Sequence, residues 1–174
     1  MKTLFIACVI LFTSVSALSQ ATTPAMLQIA DRYWMQPDVV YSTANNTPLK
    51  LDVWYPRDNA NPTPTLVFIH GGGWIFGSKE GGVYQLLPYL EKGWRVVNVE
   101  YRMASNSLAP AAVEDTRCAL RWVFRNAKQY NFDTSKIVLT GQSAGGHLSN
   151  FCHSFFPVLN IYASGRVSFP SSFR

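Results

Sequence analysis

Short apolar runs and segments of helical periodicity alternate along the chain, an arrangement typical of an α/β fold. Three runs, 65–69, 95–99 and 137–140, are continuous and β-prone, as expected for central strands of a mostly parallel sheet buried on both faces. Residues 80–92 and 110–130 have amphipathic spacing and predict flanking helices. The inward positions are Leu86, Leu87 and Leu90 in the first helix and Val113, Cys118, Leu120 and Val123 in the second.

The pattern before residue 60 predicts antiparallel structure. Residues 20–36 are a polar entry segment, and the β-prone runs 39–42 and 49–55 flank a turn rich in Asn and Pro. This arrangement predicts a hairpin. Apolar and polar side chains alternate along 49–55, which predicts an edge strand with one face partly exposed. No repeat or linker interrupts the remainder, so residues 20–174 are expected to form one domain.

The first nineteen residues predict a secretory signal peptide. A basic Lys2 precedes the apolar run 4–15, and the small-residue site Ala17-Leu18-Ser19 comes before Gln20. The apolar run is shorter than the ~20 residues needed to cross a bilayer, so we expect export rather than a stable membrane anchor. The mature chain is expected to be secreted or periplasmic.

Composition narrows the class of protein. The chain has 174 residues, 48% of them hydrophobic, which suits one globular domain with a sizeable core. The formal net charge of +5 is scattered rather than gathered into a patch, so nucleic acid is not an expected partner. After loss of Cys8 with the leader, Cys118 and Cys152 remain, and either a disulfide or two separate buried thiols fits the sequence.

The segment Gly141-Gln142-Ser143-Ala144-Gly145 fits the G-x-S-x-G pattern of a nucleophile elbow. It follows a β-prone run and precedes residues able to start a helix. In that context the turn is tight enough to expose the Ser143 hydroxyl at the helix N-terminus, where free N–H groups favour developing negative charge. The alternative is a glycine-rich turn with an ordinary serine.

A second motif, His70-Gly71-Gly72-Gly73-Trp74, follows a different β-prone run. Consecutive glycines allow backbone N–H groups to converge on one point, as a tetrahedral oxyanion requires. We expect the donors to be Gly72, Gly73 and Ala144, the residue after the nucleophile. Taken alone, the glycines also fit a flexible loop or an anion-binding nest, but the two motifs in this order together predict a serine hydrolase.

The chain resembles the esterase and lipase branch of the α/β-hydrolase fold that is marked by a His-Gly-Gly-Gly loop, especially the feruloyl-esterase-like and hormone-sensitive-lipase-like groups. The resemblance covers about residues 39–150. It implies the N-terminal part of that fold, a small-molecule carboxylic ester as substrate and no cofactor or metal. It also implies that His70, with Gly71 and Trp74, supports the oxyanion loop and is not the catalytic base. The segments that carry it are 51–56 (LDVWYP), 70–74 (HGGGW), 99–102 (VEYR) and 141–148 (GQSAGGHL).

The sequence departs from the mechanism of this fold, in which an acid and then a histidine follow the serine. The 31 residues after Ser143 contain no Asp or Glu, and their only histidines are His147 and His153. His147 lies along the predicted helix and is interpreted as a structural polar residue, and His153 is too far along it to serve as the base. Before the serine, Asp115 is expected to complement a helix dipole and Asp133 to form a cap or turn.

The tail 151–174 is rich in Phe and Ser and lacks the earlier alternation of strands and helices. The strands that carry the acid and base are therefore expected to be absent, and a truncated or frameshifted gene is one hypothesis. The leading interpretation is a secreted carboxylic-ester hydrolase with acyl transfer through Ser143. The alternatives are an inactive hydrolase-fold binding module, an unstable fragment and, among enzymes, an amidase or peptidase. The sequence does not indicate an oligomeric state.

Overall fold

The computed structural model describes residues 25–153 and 160–163, which form a six-stranded sheet flanked by helices. The sheet order is β1-β2-β4-β3-β5-β6. The first two strands form an antiparallel hairpin, β2 is antiparallel to β4, and β4, β3, β5 and β6 run parallel. The strands are β1 (Tyr33–Ala44), β2 (Thr47–Pro56), β3 (Thr63–Ile69), β4 (Arg95–Val99), β5 (Phe132–Gly141) and β6 (Asn160–Ala163). The predicted α/β class and N-terminal hairpin are confirmed.

Helices cover both faces of the sheet. The helices are α1 (Ala25–Arg32), α2 (Val83–Glu91), α3 (Ala111–Arg125), α4 (Ala127–Tyr130) and α5 (Ala144–His153), and a 3-10 turn, Lys79–Gly82, leads into α2. In β3, Leu66 packs in a core cluster with α1 and α2, whereas Val67 packs in a second cluster with α3, α4 and α5. Because successive side chains of one strand enter opposite clusters, the central strands are continuous apolar runs.

The hairpin turn has its two Asn residues in left-handed backbone conformations, with φ of 49° at Asn45 and 57° at Asn46. Asn tolerates this conformation better than most residues, and the resulting two-residue turn matches the twist of the paired strands. The hairpin is longer than expected, because β1 starts at Tyr33, inside the polar entry segment. The hydroxyl of Tyr33 donates to the carbonyls of Leu90 and Trp94, at 2.9 Å each.

The prediction that 49–55 forms an edge strand is wrong. The second strand, β2, lies between β1 and β4, and its polar Asp52 is buried. A polar residue stands among the apolar ones of this strand because the Asp52 carboxylate forms a buried ion pair with the ammonium of Lys79. Strand β1 occupies the edge instead.

Three smaller expectations also need correction. The long helix to about Tyr130 is interrupted at Asn126, whose amide Nδ2 donates to the carbonyl of Trp122 at 2.8 Å. Asp115 lies in the second turn of α3 and, instead of complementing the dipole, is bonded to an arginine. Asp133 lies within β5 and caps no helix, but its carboxylate accepts the N–H and hydroxyl of Ser135, two residues on and next to a register shift, so of the predicted cap or turn the turn-forming contact holds.

The tail expected to lack strands contributes β6, which pairs in parallel with β5, while residues 154–159 and 164–174 lie outside the described residues. The cysteines at 118 and 152 are both free thiols, and burial raises the pKa of Cys152. Of the two alternatives that the sequence leaves open, the structure shows separate thiols at Cys118 and Cys152 and no disulfide between them. Among residues 25–153 and 160–163, no helix has the length and apolar character needed to cross a membrane.

Candidate active site

Ser143 occupies a tight turn between β5 and α5. Its backbone φ is +50°, a left-handed value that costs energy in any residue with a side chain beyond Cα. The flanking glycines make the turn possible, because a Cβ at Gly141 would lie 2.4 Å and one at Gly145 2.0 Å from the carbonyl oxygen of Ile69. The N–H of Gln142 donates to that same oxygen at 3.2 Å. The elbow is thus packed directly onto the end of β3, and the exposed Ser143 stands at the C-terminal end of a central parallel strand, as predicted.

The glycine loop leaves β3 and folds back sharply. Gly72 has a φ of +119°, and a Cβ there would lie 1.7 Å from the carbonyl oxygen of Phe76. The N–H groups of Ile75 and Phe76 both donate to the Gly72 carbonyl at 3.1 Å, so that carbonyl is turned into the loop. Gly73, with φ of +60°, has open space where a Cβ would lie. Only glycine at position 72 is compatible with this loop.

The next residue, Trp74, is also left-handed, with φ of +63°. The N–H of Ala104 donates to its carbonyl at 2.7 Å and fixes the loop to the segment after β4. Its indole ring lies edge-on to the imidazole of His147, with ring centroids 5.3 Å apart. The strained conformation is thus held from two other parts of the fold.

The two loops lie at the same edge of the sheet. They follow β3 and β5, which are neighbouring parallel strands, so both leave from carboxyl ends. A Cβ on Gly71 would lie 2.8 Å from the carbonyl oxygen of Gln142, the residue before Ser143. Crevices outside the carboxyl ends of parallel strands are where α/β folds bind ligands. The structure therefore brings the two predicted motifs into direct contact.

His70 supports the glycine loop from the side of the sheet. Its imidazole is 3% exposed, with Nδ1 2.7 Å from the carbonyl of Gly71 and Nε2 3.2 Å from a carboxylate oxygen of Glu100. The ring stacks on Tyr101 at 4.4 Å, and the Tyr101 hydroxyl donates to the His70 carbonyl at 3.2 Å. Both ring nitrogens are occupied by loop and sheet partners, which fits a supporting residue rather than a base.

Glu100 was not among the site residues chosen from the sequence. The signal was its place in the Val99-Glu100-Tyr101-Arg102 segment, directly after a buried strand, where side chains meet the loops of the neighbouring strands. One of its carboxylate oxygens contacts His70, and the other accepts the backbone N–H of Lys79 at 2.8 Å. Glu100 thus connects the beginning of the loop with the residue that follows its end.

Asp115 and His147, the other candidate partners of the serine, make contacts elsewhere in the fold, Asp115 in an ion pair and the His147 ring in aromatic packing. Asp115 is 2% exposed. Its carboxylate accepts hydrogen bonds from two guanidinium nitrogens of Arg102, from Nε at 2.8 Å and from Nη2 at 2.7 Å. This contact raises the pKa of Arg102 above its ordinary value. His147 follows Ser143 by one helical turn, and its backbone N–H donates to the Ser143 carbonyl at 3.1 Å. Its ring packs against Trp74 and against Phe151, at 4.8 Å from the latter.

A cavity of about 670 Å³ opens beside the glycine loop and the helix that follows the elbow. It is bounded by the glycine loop, the segment after β4, and the facing sides of α3 and α5. Most of its lining is apolar and includes the side chains of Trp74, Val113, Leu148 and Phe151. Its volume falls within the ~300–1,000 Å³ usual for small-molecule sites.

Comparison with known proteins identifies the family. The BD-FAE family model matches residues 51–154, a segment that contains both loops. The chain belongs to the BD-FAE family. It is similar to the esterase LipC of Mycobacterium tuberculosis, with 37% identity over 101 residues, 57% of this chain and 25% of that protein. It is also similar to LipM of the same organism, a probable carboxylic ester hydrolase, with 36% identity over 139 residues, 75% of this chain and 31% of that protein.

Solved structures agree with the BD-FAE assignment. The fold matches a bacterial heroin esterase with a TM-score of 0.63 and 29% identity, over 79% of this chain and 42% of that one. It matches esterase 2 of Thermogutta terrifontis with a TM-score of 0.61 and 34% identity, over 64% of this chain and 41% of that one. The fold is therefore that of the α/β-hydrolase esterases. This BD-FAE chain spans a quarter to a third of the length of LipC and LipM.

Proposed function

We propose that this protein is a carboxylic-ester hydrolase whose reaction is acyl transfer to Ser143. The observation that carries the proposal is the left-handed Ser143 on an elbow that contacts the start of the glycine loop, where a Cβ on Gly71 would lie 2.8 Å from the carbonyl oxygen of Gln142. The esterase relatives and the matched esterase structures support the same reaction class. The small-molecule ester is the expected partner.

In the proposed reaction, the Ser143 hydroxyl oxygen attacks the ester carbonyl carbon. The carbonyl oxygen becomes an oxyanion that accepts hydrogen bonds from the N–H groups of Gly72, Gly73 and Ala144. Ala144 is the first residue of α5, so the helix dipole adds to this stabilisation. The hydroxyl proton of Ser143 passes to solvent as the new C–O bond forms. Collapse of the intermediate breaks the ester C–O bond, and the departing alcohol takes up a proton from solvent. Water then adds to the acyl-serine, which releases the carboxylic acid and restores the Ser143 hydroxyl. We assign the acid and base to none of the described residues, because Asp115, Glu100, His70 and His147 are held by the contacts given above.

The cavity beside the loops is the proposed place for the apolar part of the ester. Gly73 and Trp74 belong both to its wall and to the glycine loop, and Leu148 lies on the helix that starts beside Ser143. An ester carbonyl at the loop would therefore have its apolar substituent against Trp74, Leu148 and Val113. Burial of that substituent favours binding by about 25 cal/mol per Å² removed from water.

Ester hydrolysis by the purified chain tests the proposal. We expect slow turnover of p-nitrophenyl acetate, because an oxyanion hole and substrate positioning without an assigned base give about 10³ to 10⁴-fold over water. Without a base, an acyl-serine is released slowly, so Ser143→Ala is expected to change the steady rate little. Gly72→Ala should bring the rate close to that of the buffer, because the added Cβ would collide with the Phe76 carbonyl.

The matched control is Gly81→Ala, since Gly81 has an ordinary φ and open space where the Cβ would lie. It should keep the parent rate. A parent rate equal to that of Gly72→Ala, with both proteins folded, would contradict the proposed oxyanion hole. Turnover of about 1 to 10³ per second that Ser143→Ala abolishes would show that a base is present, and His147 would then be reconsidered.

We also propose that the protein is exported and that residues 1–19 are removed. The support is the sequence of a basic residue, an apolar run and a small-residue site before Gln20. N-terminal sequencing of the protein recovered outside the cytoplasm is expected to start near Gln20. Recovery of Met1 or Lys2 as the terminus of exported protein would contradict signal cleavage.

A further inference from the structure

An ion cluster built on a buried Lys79–Asp52 pair follows directly after the glycine loop. The ammonium of Lys79, 7% exposed, lies 2.8 Å from Asp52, 3.2 Å from Asp38 and 2.7 Å from Glu80. Burial by itself lowers the pKa of Lys79, but the hydrogen bonds to Asp52 and Glu80 outweigh it and raise the pKa above its ordinary value. Removal of one partner from a buried ion pair leaves an uncompensated charge, so this geometry is strongly held.

The N-terminal hairpin is shaped to supply two of the carboxylates. A register shift in β1 between Gln36 and Val39 accompanies the left-handed Asp38, whose φ is +56°. The Asp38 N–H donates to the carboxylate of Asp52 at 2.9 Å. Asp52 lies on β2 directly opposite Asn98 of β4, so the cluster is attached to two strands of the sheet.

The backbone of Lys79 is held as firmly as its side chain. Its N–H donates to one carboxylate oxygen of Glu100 at 2.8 Å, and its carbonyl accepts the amide of Asn98 at 2.7 Å. The other oxygen of Glu100 lies 3.2 Å from His70 Nε2, and His70 Nδ1 lies 2.7 Å from the Gly71 carbonyl. These contacts form a continuous chain. It starts at Lys79, which follows the loop, passes through Glu100 and His70, and reaches Gly71, where the loop begins.

We propose that Lys79 is a positioning residue for the oxyanion loop, an inference that rests on the proposed function of that loop. It acts through Glu100 and His70 and does not touch the substrate. By fixing the chain at both ends of residues 71–78, the contacts hold the N–H groups of Gly72 and Gly73 in the direction that the oxyanion requires. Displacement of such donors by about 1 Å costs about 10²-fold in rate, although the donors themselves remain present.

The test compares variants that separate this role from ordinary stabilisation. Lys79→Met removes the ammonium, and Lys79→Met with Asp52→Asn also removes the buried carboxylate that would otherwise lack a partner. Lys79→Arg keeps the charge and is expected to restore function in part. The matched control is Lys50→Met, because Lys50 also contacts Asp38, at 3.5 Å, but is far more exposed and lies outside the loop.

Only variants that show a cooperative thermal unfolding transition are compared. For these, kcat and KM are measured with p-nitrophenyl acetate, and hydrogen exchange is measured for the backbone amides of residues 71–78. The double variant is expected to lose about 10-fold or more in kcat with KM changed less than about twofold, because donors are misplaced but the cavity is intact. Its loop amides should exchange faster, whereas those of β3 should not change. The kcat and the loop exchange rates of Lys79→Arg should lie between those of the double variant and the parent. Both quantities should be parental in Lys50→Met.

A folded double variant with parental kcat or with parental exchange in 71–78 would overturn the proposal. The exchange measurement also separates this proposal from the proposed function. If the parent shows no turnover, the ester-hydrolase proposal fails, and exchange in 71–78 alone decides whether Lys79 fixes the loop.

Discussion

At the scale of single residues, the site depends on glycine positions where a hydrogen atom fits but a Cβ does not. A Cβ at Gly145 would lie 2.0 Å from the carbonyl oxygen of Ile69 and 2.5 Å from that of His70. The neighbouring Gly146 is far less confined, because its nearest contact would be 3.1 Å, to the carbonyl of Gly141. The glycines of the elbow are therefore not equivalent, although they are adjacent in the sequence.

This difference gives a stability prediction. Gly145→Ala is expected to lower the free energy of unfolding by about 1–3 kcal/mol or more, because the elbow would have to move away from β3. Gly146→Ala should change it by less than about 1 kcal/mol, since the better helix propensity of Ala offsets a mild contact. Urea unfolding of the two variants measures both values. Equal losses would show that the elbow is not packed on β3 as described.

Residue-level patterns also explain what the sequence could predict of the site. Both loops are local motifs in which glycine at fixed positions is the signal, so Ser143 and Gly72 could be chosen without a structure. Glu100 is indicated only by its place directly after a buried strand, and Lys79 by nothing local, because their roles depend on contacts among residues 70, 79 and 100 and with the hairpin. A buried lysine is recognisable only when its carboxylate partners are known.

At the scale of elements, prediction succeeded where burial is uniform. Strand β4 has the predicted bounds and β3 begins two residues earlier, because both lie inside the sheet and bury both faces. Prediction failed where polar residues have distant partners. The sequence predicts a polar entry segment over 20–36, yet this segment contains α1 and the start of β1, which are anchored by Ile29 and Tyr33. Helix α1 spans only eight residues, whereas helical periodicity is recognisable over windows of about 11–18 residues.

The segment after β4 shows the same limit. Arg102 joins it to α3 through Asp115, whose carboxylate also accepts the Arg102 backbone N–H at 2.9 Å. The position of Asp115 near a helix start predicts a contact with the helix dipole. Its actual partner, Arg102, lies thirteen residues earlier, and no periodic pattern in the sequence connects the two. This contact matters for the site, because the same segment holds the Trp74 carbonyl through Ala104.

At the scale of the whole molecule, a mixed sheet places two loops side by side and a cavity next to them. The parallel arrangement of β3 and β5 is what converts two motifs about seventy residues apart into one site. The Lys79 cluster connects that site to the antiparallel hairpin at the other side of β4. The match to esterase structures covers 41% and 42% of their chains, and the family model matches residues 51–154, which include the elbow and the glycine loop.

The central claim is that Ser143 is a nucleophile facing an oxyanion hole, and acylation mapping tests it most directly. The purified chain is incubated with p-nitrophenyl acetate, quenched with acid and digested, and its peptides are analysed by mass spectrometry. We predict an acetyl ester on Ser143 in the parent and in Gly81→Ala, and its absence in Gly72→Ala, where the donors of the loop are displaced. Acetylation confined to lysines, with Ser143 unmodified in the folded parent, would contradict the account.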